Sequence, residues 1–199
     1  MDRAAFEHMY LGAADPYGLR TRWYEARKRA ILLASLPRAS YASAFEPGCG
    51  IGVLTRALAL RCGRVLASDF SAQAVAVARE GLRELSNVEV VQQALPGEWP
   101  RSTAGAFDLI VLSELGYFLD AGDMASLAKH CGHSLSRDGT LVACHWLPGF
   151  DARRLPTPAV HEMLDAPGLR RVAHYEDADF QLVVWERAAV SVAQREGIR

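Results

Sequence analysis

The run SAFEPGCGIGVLTRALA, Ser43 to Ala59, sets an acid, a proline and three glycines at alternate positions between a short apolar segment and a helix-like one. A strand passing through so tight a turn into a helix makes a β-α unit. Such a unit buries its apolar faces only when further units stack beside it. The chain supplies them. RVLASD, VEVVQQ, FDLIVLSE and GTLVACHW read as further strands, and SAQAVAVAREGLREL, with Ser71 as N-cap, and DAGDMASLAKHCGHSL read as the helices between them. Short apolar strands alternating with helices indicate a parallel sheet covered on both faces.

The pattern changes after Trp146. LPGFDARRLPTP is rich in proline and glycine, AVHEMLDA is a short helix, and LRRVAHYE and FQLVVWERA are strands joined by DAD. So short a turn permits an antiparallel hairpin and excludes a parallel crossover. Ahead of the glycine turn, GLRTRWYEARKRAILLAS, Gly18 to Ser35, has helical spacing, with Pro37 as its stop. The expectation is one α/β domain over residues 1–199. It comprises a helical cap at 1–40 over the ligand site, a core at 41–187, and a polar segment at 188–199 that frays.

Composition narrows the partners. Half of the residues are apolar, 23% are charged and the formal net charge is -1, so binding driven by phosphate neutralisation, and with it nucleic acid, is not expected. Four cysteines without a C-x-x-C pair, no secretory pattern at the N-terminus and no apolar run of about 18 residues point to a cytoplasmic protein without a membrane partner.

In an open parallel sheet the ligand lies beyond the carboxyl ends of the strands, where the strand order reverses. Gly48, Gly50 and Gly52 sit in the loop that leads there, and without side chains they let backbone N-H groups approach a ligand closely. A dinucleotide would require G-x-G-x-x-G, but Val53 stands where the third glycine belongs; a triphosphate would require G-K-[ST], which is absent. What remains is E-x-G-x-G-x-G, with Asp69 about 20 residues on at the end of the second strand. A carboxylate there suits the two hydroxyls of a ribose, and Glu46 suits a cationic amino group.

This motif resembles motif one of the class I S-adenosylmethionine-dependent methyltransferases. FDLIVLSELGYFL is similar to that superfamily's fourth strand and following loop, and the terminal hairpin to its reversed last strand, so that the resemblance covers about residues 42–186. DPYGLRTRWYEARKRAILLASLP further resembles the opening of the nodulation protein S branch, N-methyltransferases of chitooligosaccharide signals. The resemblance implies a Rossmann-like, doubly wound, seven-stranded sheet, mostly parallel with an antiparallel C-terminal hairpin. It implies S-adenosylmethionine as cofactor, S-adenosylhomocysteine as product, and methyl transfer to a small-molecule or saccharide acceptor, with an amine preferred. O-methylation of a natural product is the alternative; an NAD-dependent oxidoreductase and a non-catalytic cofactor-binding protein are the alternatives of other classes.

Cofactor contacts are then expected from Glu46, Gly48, Cys49, Gly50 and Gly52 in the first loop, and from Asp69 and Phe70 after the second strand. Ala94 and Leu95 should contribute after the third strand, Ser113 and Glu114 after the fourth, and Trp23 from the leading helix, with Tyr24 beside it also a candidate to cover the cofactor. Ala94 occupies the place where many members carry an acid for the adenine amino group, so Gln93, or the N-H of Leu95, is the candidate substitute. Methyl transfer from a sulfonium is an in-line displacement governed by positioning, and an amine acceptor must be held as the neutral base. His145, which ends the fifth strand, His161 on the short helix beyond it, and Glu114 are the catalytic candidates, with Tyr117 and Phe118 beside the methyl group. The pattern HCGH, with His130, Cys131 and His133, lacks a further ligand pair, and no metal site is expected.

Overall fold

The computed structural model describes residues 7, 9, 10, 12–100, 105–165, 168–188 and 190–199. Helix α1 (Trp23–Ser35) is followed by β1 (Tyr41–Pro47), α2 (Val53–Ala59), β2 (Cys62–Asp69), α3 (Ala72–Leu82) and β3 (Val88–Gln92). Then come β4 (Phe107–Ser113), a 3-10 turn (Gly116–Phe118), α4 (Ala121–Ser134), β5 (Leu135–Trp146), α5 (Thr157–Met163), β6 (Arg170–Glu176), β7 (Phe180–Glu186) and α6 (Val192–Arg195). The seven strands form one sheet in the order β3-β2-β1-β4-β5-β7-β6. β1 to β5 pair in parallel, whereas β7 runs antiparallel between β5 and β6.

The strands read as apolar runs because both faces are buried. Along β4, Leu109 and Val111 join the cluster that includes Leu32 of α1 and Leu58 of α2, while Ile110 and Leu112 join the opposite cluster with Met124 and Leu127 of α4. All four β4 residues have no exposed surface, and each such side chain contributes roughly 1.5–3 kcal/mol by leaving water. The chain passes outward from β1 through β2 to β3 and then returns to β4 on the other side of β1. The crevice between the carboxyl ends of β1 and β4 is therefore the reversal point of the sheet.

Three boundaries differ from the sequence reading. The leading helix begins at Trp23 rather than Gly18, because Asp15 takes the N-H groups of Leu19 and Arg20 at 2.8 and 2.9 Å and holds that stretch as turns, with Gly18 at φ +67°. β5 begins at Leu135, ahead of the turn RDG: Phe107 pairs with Leu135 and Leu109 with Thr140, so residues 136–139 bulge from a continuous strand. The C-terminal segment, expected to fray, carries the one-turn helix α6, boxed by Ser191 and Gln194, with Arg195 on the buried Glu186 at 2.8 Å. The DAD hairpin turn is as read: the Asp177 carboxylate accepts the N-H groups of Asp179 and Phe180. Among the described residues no helix is long and apolar enough to cross a membrane.

Candidate active site

A cleft of about 740 Å³ opens at the reversal point, lined by the ends of β1, β2, β4 and β5, by α1, and by Tyr10, Tyr17 and Leu19 from the N-terminal stretch. Its first wall is the glycine turn. Gly48, Gly50 and Gly52 all have positive φ, at 76°, 53° and 78°. At Gly52 a Cβ would lie 2.7 Å from Leu82 of α3, so the turn can press onto that helix only without a side chain there. The N-H groups of Gly48 and Cys49 donate to the Ser68 carbonyl, and that of Gly50 donates to Asp69 at 2.9 Å. The other Asp69 oxygen accepts from Ser71 N-H at 2.9 Å, while the Ser71 hydroxyl caps α3 at Ala74. Asp69 thus ties the turn to β2 and lines the cleft. Burial raises its pKa, and the N-H groups of Ser71 and Gly50 oppose the shift.

Glu46 is 2% exposed, and its carboxyl group takes the Thr55 hydroxyl at 2.6 Å. Burial pushes its pKa up to about 8, against the Thr55 hydrogen bond and with a further rise from Asp69. A buried acid without a cation partner among the described residues, lining a cleft beside bare backbone, is the counterpart of an amino group. Across the cleft, Gln93 Oε1 is buried without a hydrogen-bond partner among the described residues, an acceptor suited to an adenine amino group. The Ala94 N-H is taken by Glu98 at 2.7 Å; Phe70, Ala94 and Leu95 contribute apolar wall. The residues present therefore fit a ribose, an adenine and a charged amino acid with no phosphate. Cys49 packs beneath the turn against Ala67, Val75 and Ala78, and burial raises its thiol well above the ordinary range, so it is a wall and not a nucleophile.

The second wall is a network that local sequence does not announce. Glu114, at φ +58°, accepts Lys28 Nζ at 2.6 Å on one oxygen; on the other it accepts Trp146 N-H at 3.0 Å and the Tyr117 hydroxyl. Lys28 also meets Glu25 at 3.1 Å and is 6% exposed. Burial disfavours its charge, but Glu114 and Glu25 outweigh that and raise its pKa. Lys28 lies in the segment read from its spacing as the leading helix; that spacing could place it with Glu25, but its partner Glu114 is 86 residues away.

Three expected site residues are placed elsewhere. Trp23 is 78% exposed and lies outside the cleft lining, and Tyr24, one residue on, faces the cleft instead, its ring edge-on to Trp146 at 5.4 Å. His145 and His161 are 0% and 1% exposed, their ring nitrogens 2.9 Å apart beneath the cleft wall. Burial pulls His145 down to about 3, helped by Lys28 and Arg153, and His161 to about 2. Both rings are neutral and shielded, so neither faces an acceptor as a general base. Strand-end position placed His145 at the correct edge of the sheet, but the alternation of side chains turns it away from the cleft.

The comparisons with known proteins agree with this geometry. Residues 44–139 match the methyltransferase domain family. The chain is 46% identical to a candidate methyltransferase of known structure from Pseudomonas syringae, over 83% of this chain and 100% of that one, with a TM-score of 0.73. This chain belongs to the S-adenosylmethionine-dependent methyltransferases. It is also 31% identical to nodulation protein S of Sinorhizobium fredii over 60% of this chain and 54% of that one; the chain spans about half the length of the curated relatives it matches. The N-methyltransferase NodS of Bradyrhizobium japonicum, solved with S-adenosylhomocysteine, shares the fold at a TM-score of 0.80 and 22% identity, over 92% of this chain and 96% of that one. The cofactor of this methyltransferase is S-adenosylmethionine, and the nicotinamide alternative falls.

One consequence is measurable. A carboxyl whose pKa rises from 4.5 to about 8 on folding contributes stability that is complete below 4.5 and lost as pH rises through 8. At pH 7 the free protein therefore holds Glu46 mostly protonated, and an ammonium placed beside it restores the charged form. Calorimetric titration with S-adenosylhomocysteine at pH 7, in buffers of different ionisation enthalpy, should show close to one proton released per protein. The Glu46→Gln variant should show none.

Proposed function

We propose that this methyltransferase transfers the methyl group of S-adenosylmethionine to the amine of a small-molecule or saccharide acceptor. The observation that carries this reading is the charge around the Tyr24 phenol. Glu114, Glu25 and Asp179 all act on it, raising its pKa behind the larger effect of burial, and Lys28 is the cation at its face, 5.0 Å from the ring centre. The cleft lining sets five carboxyl groups, Glu25, Glu114 and Asp179 with Glu46 and Asp69 in the glycine-turn half, against the three cations Arg22, Lys28 and Arg29, and this excess of acid among the aromatic faces of Tyr24, Trp146 and Phe150 favours a cationic acceptor. The likeness to nodulation protein S and to the NodS N-methyltransferase supports the same reading.

Bound in the glycine-turn half of the cleft, S-adenosylmethionine supplies an electrophilic methyl group on a sulfonium. The protein's own residues do the rest by placement. Glu46 and Asp69 fix the two ends of the cofactor half. Trp146 and Tyr24 form the floor for the acceptor, with Lys28 holding Glu114 in place. Asp179, on the β6-β7 turn, holds the acceptor ammonium and takes its proton. That turn is rigid: Leu147 N-H donates to the Asp179 carbonyl at 2.8 Å, and Arg27 pairs with Asp177 at 2.8 Å.

The test is a labelled-methyl assay over panels of amino sugars, simple primary amines and their hydroxyl counterparts. Amines should accept the label and hydroxyl analogues should not. Asp179→Asn should raise the acceptor KM by roughly tenfold, the loss of one charge-assisted contact, and lower kcat by roughly 100-fold or more because the proton acceptor is gone, with S-adenosylhomocysteine affinity unchanged. Transfer confined to hydroxyl acceptors would refute N-methylation.

A further inference from the structure

Beneath the Glu114 network lies the buried histidine pair. The Gly116 N-H donates to His145 Nε2 at 3.0 Å, and His145 Nδ1 lies 2.9 Å from His161 Nε2. A ring nitrogen that accepts an N-H carries no proton, so the neutral His145 ring must carry its proton on Nδ1 and donate it to His161. His161 Nε2 is then the acceptor, and its own proton lies on Nδ1, which is buried without a partner among the described residues. The arrangement fixes both tautomers. Gly116 itself is clasped: a Cβ there would lie 2.4 Å from Val160 of α5 and 3.2 Å from His145 Nε2.

Gly116 sits between the two residues that shape the acceptor wall. Two positions before it, Glu114 holds a left-handed backbone at φ +58°, which strains a non-glycine residue and needs support from its surroundings. One position after it, Tyr117 donates to Glu114, and its ring meets that of His145 edge-on at 5.4 Å. We propose that His145 and His161 are a positioning relay: through the Gly116 N-H they hold the turn that keeps the Glu114 carboxylate on Lys28, Trp146 and Tyr117, and so set the acceptor side of the cleft. Neither ring touches cofactor or acceptor. Their role in the reaction is carried by one hydrogen bond to the backbone. This inference rests on the reading of the Glu114 end of the cleft as the acceptor side.

Two measurements on the full chain test it. Nitrogen-15 spectra of the histidine rings should show His145 and His161 as Nδ1-protonated tautomers at neutral pH; an Nε2-protonated His145 overturns the relay whatever the cofactor does. The second compares the affinities of S-adenosylhomocysteine and of sinefungin, a cofactor analogue with a primary ammonium where the methyl-bearing sulfonium would be. In His145→Leu, sinefungin should weaken at least fivefold more than S-adenosylhomocysteine. His145→Gln, whose amide oxygen can accept the Gly116 N-H, should recover most of that difference. A parallel loss of both ligands, or no recovery with glutamine, means that the pair is packing alone. Failure of the wild-type protein to bind either ligand would refute the cofactor reading instead, and the tautomers would still decide the relay.

Discussion

Asp69→Ala is expected to weaken S-adenosylhomocysteine binding by roughly 100- to 1000-fold, measured by calorimetry. Two effects add. On the expectation that Asp69 accepts the two hydroxyls of a bound ribose, charged hydrogen bonds of that kind contribute roughly 1.5–3 kcal/mol each. The same side chain also accepts the N-H groups of Gly50 and Ser71, so its removal releases the turn that shapes the cofactor half. Asp69→Asn separates the two, since an amide keeps one accepting oxygen but presents a donor to the other N-H. It should lose less than alanine and still fall well below wild type. Near wild-type affinity in a folded Asp69→Ala protein would remove Asp69 from the site.

Glu114→Ala should lower methyl transfer at least 100-fold and destabilise the protein by about 3 kcal/mol, because it leaves the buried Lys28 ammonium with Glu25 as its remaining carboxylate partner. For a chain of this size that is a fall of roughly 6–12 °C in the thermal midpoint. Lys28→Met leaves two carboxylates uncompensated and should destabilise by a similar amount. The double variant Lys28→Met/Glu114→Ala separates folding from catalysis. It removes both members of the pair, so its stability loss should fall short of the sum of the single losses by about 1–3 kcal/mol, while its activity should not return. Additive stability losses would show that the 2.6 Å pair is not energetically coupled.

The two variants probe halves of the cleft that were unequally legible in the sequence. The cofactor half is local. Glu46, the three glycines and Asp69 lie within two adjacent β-α units, and each is constrained by a need that shows in the residue type: positive φ, close backbone approach, or a carboxylate at a strand end. Gln93 was also within reach, since the missing acid at Ala94 directed attention to its neighbour. A cap from residues 1–40 was expected over this site, but not which side chains form it, because Tyr10, Tyr17 and Leu19 reach the turn only when the N-terminal stretch folds back onto Ile51 and Ala74.

The acceptor half is not local. Lys28 meets Glu114 across 86 residues, Asp179 enters from the terminal hairpin, and Trp146 offers its N-H because β5 ends beside β4. The two histidines show the limit of reasoning by position. Strand-end placement put His145 at the correct edge, but whether its ring meets the cleft or the core depends on strand phase, on the close fit of Gly116 and on the seating of α5.

The sequence by itself therefore determined the sheet, its hairpin and the methyl donor, because periodicity, glycine turns and strand-end acids are rules about neighbours along the chain. The tertiary structure decided the wall around Glu114, which of Trp23 and Tyr24 faces the cleft, and the burial of the histidine pair. Those depend on which elements the fold brings together, and on the balance between desolvating a charge and pairing it, a balance that exists only after packing.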